Sequence, residues 1–109
     1  MFTIIGRRWF DRKYGNTYHS VAVYKDGDLI GSVDFAYGYG DQYKQTAYGI
    51  LQNLGYYRGS VEMKDGQGRV IGYDNKPYNE DYRKFNFSKR SGGDGNLFTV
   101  SDVGRKKDL

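Results

Sequence analysis

Tyr18-His19-Ser20-Val21-Ala22-Val23-Tyr24-Lys25-Asp26-Gly27-Asp28-Leu29-Ile30-Gly31-Ser32-Val33-Asp34-Phe35 reads as one β-hairpin. His19, Val21 and Val23 share one parity before the turn, and Leu29, Gly31, Val33 and Phe35 share one after it. Successive strand side chains point to opposite faces, so each run is expected to carry one apolar face. Lys25-Asp26-Gly27-Asp28 is the turn signal between them. A two-residue Asp26-Gly27 turn pairs Val23 with Ile30 and scatters the apolar side chains over both faces. A three-residue loop pairs Val23 with Gly31 and Val21 with Val33 and gathers them on one. Because a one-residue slip moves every side chain to the other face, the second register is expected.

Working outward, Phe2 to Trp9 is expected to add a third strand. Downstream, Tyr43, Ala47, Ile50, Leu51 and Leu54 fall at i, i+4, i+7, i+8 and i+11, the stripe of an amphipathic helix. Asp41 as N-cap and Gly55 after the last turn bound it at about 42–54. The first half therefore reads β-β-β-α, with one helix lying across an antiparallel sheet. In the second half short strands are expected at Gly59–Met63, Arg69–Tyr73, Tyr82–Phe87 and Leu97–Val103, with a hairpin turn at Lys64–Gly68. Ser91–Asn96 reads as a loop. The predicted class is α+β, a single domain over 1–104 followed by a basic flexible tail over 105–109.

Composition narrows the function classes. The 109 residues suit one domain, and without cysteine neither a disulfide framework nor a thiolate metal site can form. No apolar run approaches the roughly 20 residues needed to span a bilayer. The basic pair Arg7-Arg8 follows the apolar start instead of preceding it, the reverse of a secretory signal, so a cytoplasmic location is expected. Twelve tyrosines and six phenylalanines mean that rings carry much of the core, and the tyrosine hydroxyls need partners or water. The net charge of +4 is compatible with nucleic acid or an acidic protein surface.

Arg7, Arg8, Trp9, Phe10, Arg12 and Lys13 set four cations beside two large rings, opposed only by Asp11. Such a cluster can neutralise phosphates and stack on bases. It suits a protein hot spot equally well, and as ordinary structure it is a core ring beside solvated charges. Arg83, Lys84, Lys89 and Arg90, and then Arg105, Lys106 and Lys107, form two further basic stretches. Tyr37-Gly38-Tyr39-Gly40-Asp41-Gln42-Tyr43 leads into the helix without the spacing of a P-loop or dinucleotide fingerprint, so it reads as a strand-to-helix turn bearing exposed rings.

His19 is the single histidine. With no cysteine, the familiar zinc arrangements are excluded, and no metal or cofactor is expected. Ser20 is adjacent in a strand and points to the opposite face, so it cannot complete a triad with His19. The parity of His19 with Val21 and Val23 reads as a partly buried, hydrogen-bonded residue. The acids are scattered, and no spacing marks a paired-carboxylate site or a calcium loop.

Arg7-Arg8-Trp9-Phe10, Gly15-Asn16-Thr17-Tyr18-His19-Ser20 and Tyr37 to Tyr43 together resemble small uncharacterised proteins of bacteriophages and other prokaryotic mobile elements. The similarity covers roughly residues 3–55. It carries over no catalytic or ligand residues and implies only a setting, in which small basic phage proteins modulate host machinery, including as inhibitors of CRISPR complexes. The expected function is accordingly a non-enzymatic binding protein acting on DNA, RNA or a host nucleoprotein complex, as monomer or homodimer. The expected partner-binding residues are Arg7, Arg8, Trp9, Arg12, Lys13, Tyr37 and Tyr39. The alternatives are a pure protein–protein inhibitor and a small hydrolase or nuclease using His19.

Overall fold

Strands β1 (Phe2–Asp11), β2 (Asn16–Lys25) and β3 (Asp28–Tyr37) run as an antiparallel meander in a computed structural model that describes residues 1–86 and 95–109. Helix α1 (Gln42–Asn53) follows, then β4 (Val61–Lys64), β5 (Val70–Asp74), helix α2 (Lys76–Phe85) and β6 (Leu97–Val103). The chain is α+β. β6 has the expected boundaries and pairs parallel to β1, so the main sheet is mixed, in the order β3-β2-β1-β6. β4 and β5 form a separate two-stranded sheet around the expected turn. The Ser91–Asn96 loop lies mostly outside the described residues.

The hairpin has the expected pairing by a different route. Val21 faces Val33 and Val23 faces Gly31, yet Lys25 faces Asp28 across a two-residue turn. Asp26 (φ 51°) and Gly27 (φ 86°) supply the left-handed pair that a tight hairpin turn needs. A bulge between Val23 and Tyr24 leaves Ile30 as the extra residue and restores the apolar register. A second irregularity, between His19 and Val21, sets Ser20 against both Asp34 and Phe35. That slip overturns one expectation: Phe35 leaves the apolar face, stacks on Tyr18 and stays 45% exposed.

The covered face carries Phe2, Ile4, Val21 and Val23 against Tyr43, Ala47, Tyr48 and Leu51 of α1. Each fully buried large side chain contributes about 1.5–3 kcal/mol. Two glycines let the helix sit down. A Cβ on Gly6 would lie 2.6 Å from the Tyr43 ring, and one on Gly31 would lie 2.5 Å from Ile50 Cγ2. α1 ends at Asn53, and Gly55 (φ 88°) closes it as expected, the Tyr56 N–H donating to the Leu51 carbonyl at 2.9 Å. Asp41 makes no side-chain cap bond, contrary to its expected role.

Tyr82–Phe87 is not the expected strand, since residues up to Phe85 are helical and Phe87 lies outside the described residues. Pro77 pre-sets the first turn, and Tyr78, Tyr82 and Phe85 at i, i+4 and i+7 form the stripe. These rings surround Tyr48 at 5.0–5.4 Å between centroids, and Phe85 continues to Phe98 at 5.3 Å. Burial pushes the Tyr48 hydroxyl up to about 12, so it stays protonated and donates to the Arg58 carbonyl at 2.8 Å. Buried Asp81 accepts from the Arg58 backbone N–H (2.8 Å), Nε (3.1 Å) and Nη2 (3.0 Å). These bonds hold its carboxyl below the ordinary aspartate range. Buried Asn96 ties α2 to β1, donating to the Phe85 carbonyl (2.8 Å) and accepting from the Phe2 N–H (2.9 Å).

Gly6→Ala is expected to destabilise the fold by about 1–3 kcal/mol through overpacking against Tyr43, whereas Gly66→Ala, facing open space, leaves the urea midpoint nearly unchanged. Asp81→Asn is expected to cost about 1–2 kcal/mol at neutral pH. The lowered carboxyl of Asp81 stabilises the fold above the ordinary aspartate range, and this contribution disappears as pH falls through the lowered folded value. Melting profiles of Asp81→Asn should therefore converge on wild type in acid.

Candidate nucleic-acid interface

Both helices pack on one side of the main sheet, so the side chains of opposite parity stand on the other. Strand alternation puts Arg7 and Trp9 of β1 there, with Tyr18 of β2, and the second β3 slip adds Phe35. Three rings stack in a row across three strands: Trp9 on Tyr18 at 5.9 Å, and Tyr18 on Phe35 at 4.6 Å. Tyr37 meets Tyr18 edge-on at 5.7 Å and is 66% exposed. Lys106 Nζ lies 4.8 Å from the centroid of Phe35, a cation–π contact at the end of the row.

Lys106 reaches this position from the chain end. Residues 105–109, read from sequence as a flexible tail, include a 3₁₀ turn over Lys106–Asp108, with Arg105 Nε 3.1 Å from an Asp108 carboxylate oxygen. Leu109 closes a cavity of about 160 Å³ against Ile5, Arg7, Ala22, Tyr24 and Asp34. The tail thus lies over the middle of the open face, while the end bearing Trp9, Tyr18 and Tyr37 is not among the residues lining that cavity.

The expected site residues divide. Arg7, Trp9 and Tyr37 share the open face with Tyr18, Phe35 and Lys106. Arg8 projects to the other side and is fully engaged: its Nε lies 2.8 Å and its Nη2 3.4 Å from the Asp102 carboxylate, and its Nη1 lies 3.2 Å from the Gly40 carbonyl. It ties β6 to the glycine turn before α1. Arg12 and Lys13 are exposed on the β1–β2 turn, where the Lys13 N–H donates to Asp11 at 3.0 Å. Tyr39, 76% exposed, lies beyond the strand end and lines a 300 Å³ groove with Phe10, Arg8 and Asp102. Of the second basic stretch, Arg83 and Lys84 lie in the last turn of α2, and Lys89 and Arg90 fall outside the described residues. Sequence reasoning missed three members of the surface. Tyr18 was legible, because it has the parity opposite to His19. Phe35 was hidden by the bulge, and nothing in the sequence placed Lys106.

His19 is 1% exposed. Its Nδ1 lies 3.2 Å from the Gly38 carbonyl and its Nε2 lies 2.7 Å from Thr46 Oγ1. A carbonyl only accepts, so Nδ1 carries the hydrogen, and the ring links β2 to the turn and to α1. Both nitrogens have partners within the fold, as the hydrogen-bonded reading expected, and the ring is buried more deeply than its parity implies. Among the described residues, no three His, Asp or Glu side chains are grouped to hold a metal ion, and no helix is long and apolar enough to cross a membrane. No family model, curated protein or solved structure matches the chain.

Proposed function

We propose that this is a non-enzymatic binding protein, phage-encoded, that takes single-stranded nucleic acid, free or within a host nucleoprotein complex, on the open face of its main sheet. The carrying observation is the row Trp9–Tyr18–Phe35 on the sheet face away from the helices, flanked by Tyr37 and by the cations Arg7 and Lys106. Unpaired bases stack on aromatic rings, whereas a duplex keeps its base faces internal. Tyr18 lies between two neighbours, so Trp9 at one end and the exposed ring of Tyr37 are the available platforms. Arg7 and Lys106 on the face, with Arg12, Lys13 and Lys107 beside it, meet the phosphates. The phage resemblance suggests the setting: competition for nucleic acid in a host defence complex, those of the CRISPR type included.

Fluorescence anisotropy with single-stranded DNA and RNA tests this reading. With four to five phosphates neutralised, log affinity should fall against log salt with a slope of about −3. Arg7→Glu combined with Lys106→Glu is expected to abolish binding at near-physiological salt without lowering the melting temperature. Trp9→Ala and Tyr37→Ala should each weaken it by about 1–3 kcal/mol. His19→Leu removes the ring partners of the Gly38 carbonyl and the Thr46 hydroxyl, so it should cost about 1–3 kcal/mol of stability and leave affinity intact. Absence of binding at low salt overturns the proposal and favours a pure protein–protein inhibitor.

A further inference from the structure

The cavity closed by Leu109 on the open sheet face has a chemistry of its own. It measures about 160 Å³, and a cavity of roughly 150 Å³ admits a single aromatic ring. Three small side chains, Ser20, Ala22 and Ser32, form its floor. Ile5 and Leu109 add apolar walls, and Arg7 and Asp34 add charge. An apolar enclosure with a few convergent polar groups is the usual form of a small-ligand pocket. The two charges stand on opposite walls. Arg7 of β1 faces Ser20 of β2, and Ser20 in turn faces Asp34 of β3. Their strands are therefore two spacings apart, about 9.6 Å. Among the described residues neither Arg7 nor Asp34 enters an ion pair.

We propose, building on the single-strand reading above, that this cavity receives one guanine of the bound strand and makes the site guanine-selective. With Arg7 on a phosphate, the opposite wall is about one nucleotide away, on the scale that separates a phosphate from the edge of its base. Asp34 therefore meets the base, and an ionised carboxylate only accepts hydrogen bonds. Guanine presents two neighbouring donors on one edge, N1–H and the N2 amine, which match the two carboxylate oxygens. Adenine and cytosine place a ring acceptor beside their amine, and thymine and uracil flank a single N–H with two carbonyls. Each of these sets an acceptor against an Asp34 oxygen. The Ser20 and Ser32 hydroxyls can donate to the guanine acceptors, and Ile5 and Leu109 cover its ring faces. In a duplex the donor edge of guanine is already paired, so the pocket reinforces the preference for an unpaired strand.

Short oligothymidine strands carrying one central guanine, inosine, adenine or cytosine test the pocket by competition binding. The guanine strand is expected to bind about tenfold or more tighter than the adenine and cytosine strands. Inosine, which lacks only the N2 amine, should fall between them. Asp34→Asn replaces one acceptor with a donor and should erase the guanine preference without weakening the adenine strand. Asp34 is exposed, so the melting temperature should hold. Ser32→Leu fills the floor and should erase the same preference with no change of charge. Guanosine monophosphate alone should shift the amide signals of Ser32 and Asp34. Equal affinity for the four strands, or a guanine preference that survives Asp34→Asn, would overturn the pocket and leave the single-strand reading standing. Guanosine monophosphate shifts in a protein that binds no strand would uphold the pocket and overturn that reading instead, and no response to either ligand would overturn both.

Discussion

Tyr43 and Ile50 of α1 rest directly on Gly6 and Gly31, at separations that leave no room for a Cβ. That contact fixes which face of the sheet the helix covers. Once Gly6 and Gly31 lie under α1, Ile4, Val21, Val23 and Val33 must lie there as well. Arg7, Trp9 and Tyr18, one residue out of phase, must then stand on the opposite side. The candidate surface is thus a consequence of how the core is packed. An aromatic row on a sheet face needs rigid support to hold its spacing, and three long paired strands provide it.

The first half of the fold was legible because alternation, a helical stripe and glycine punctuation all agree between Phe2 and Gly55. Even there the turn differs from its expected three-residue form. The expected pairing holds, while Asp26-Gly27 makes a two-residue turn and a bulge absorbs the difference. Periodicity cannot display a bulge, which is why Phe35 was assigned to the wrong face. Phe85 and Phe87 alternate locally and imitate a strand, whereas the helical signal of α2 lies upstream, in Pro77 and the Tyr78, Tyr82, Phe85 spacing.

The basic N-terminal cluster shows the same limit. Read as a string, Arg7, Arg8, Trp9, Arg12 and Lys13 form one patch. In β1 they separate: Arg7 and Trp9 face outward, while Arg8 is consumed by Asp102 and the Gly40 carbonyl. Local composition points to β1, and the neighbours Tyr18, Phe35 and Lys106 complete the proposed surface. The ring-rich composition likewise has two destinations. Tyr48, Tyr57, Tyr78, Tyr82 and Phe85 form an interlocked core whose hydroxyls are pushed up by burial where they are most enclosed. Tyr37 and Tyr39 remain in solvent.

The most direct examination of the proposed surface is an NMR titration of the labelled protein with a short single-stranded oligonucleotide, following backbone amides and the Trp9 indole. Shifts concentrated on Arg7, Trp9, Tyr18, Phe35 and Tyr37, with the α1 residues facing the core unmoved, are the expected result. Shifts confined to the helices or to the β4–β5 arm, or none at all at low salt, would contradict it.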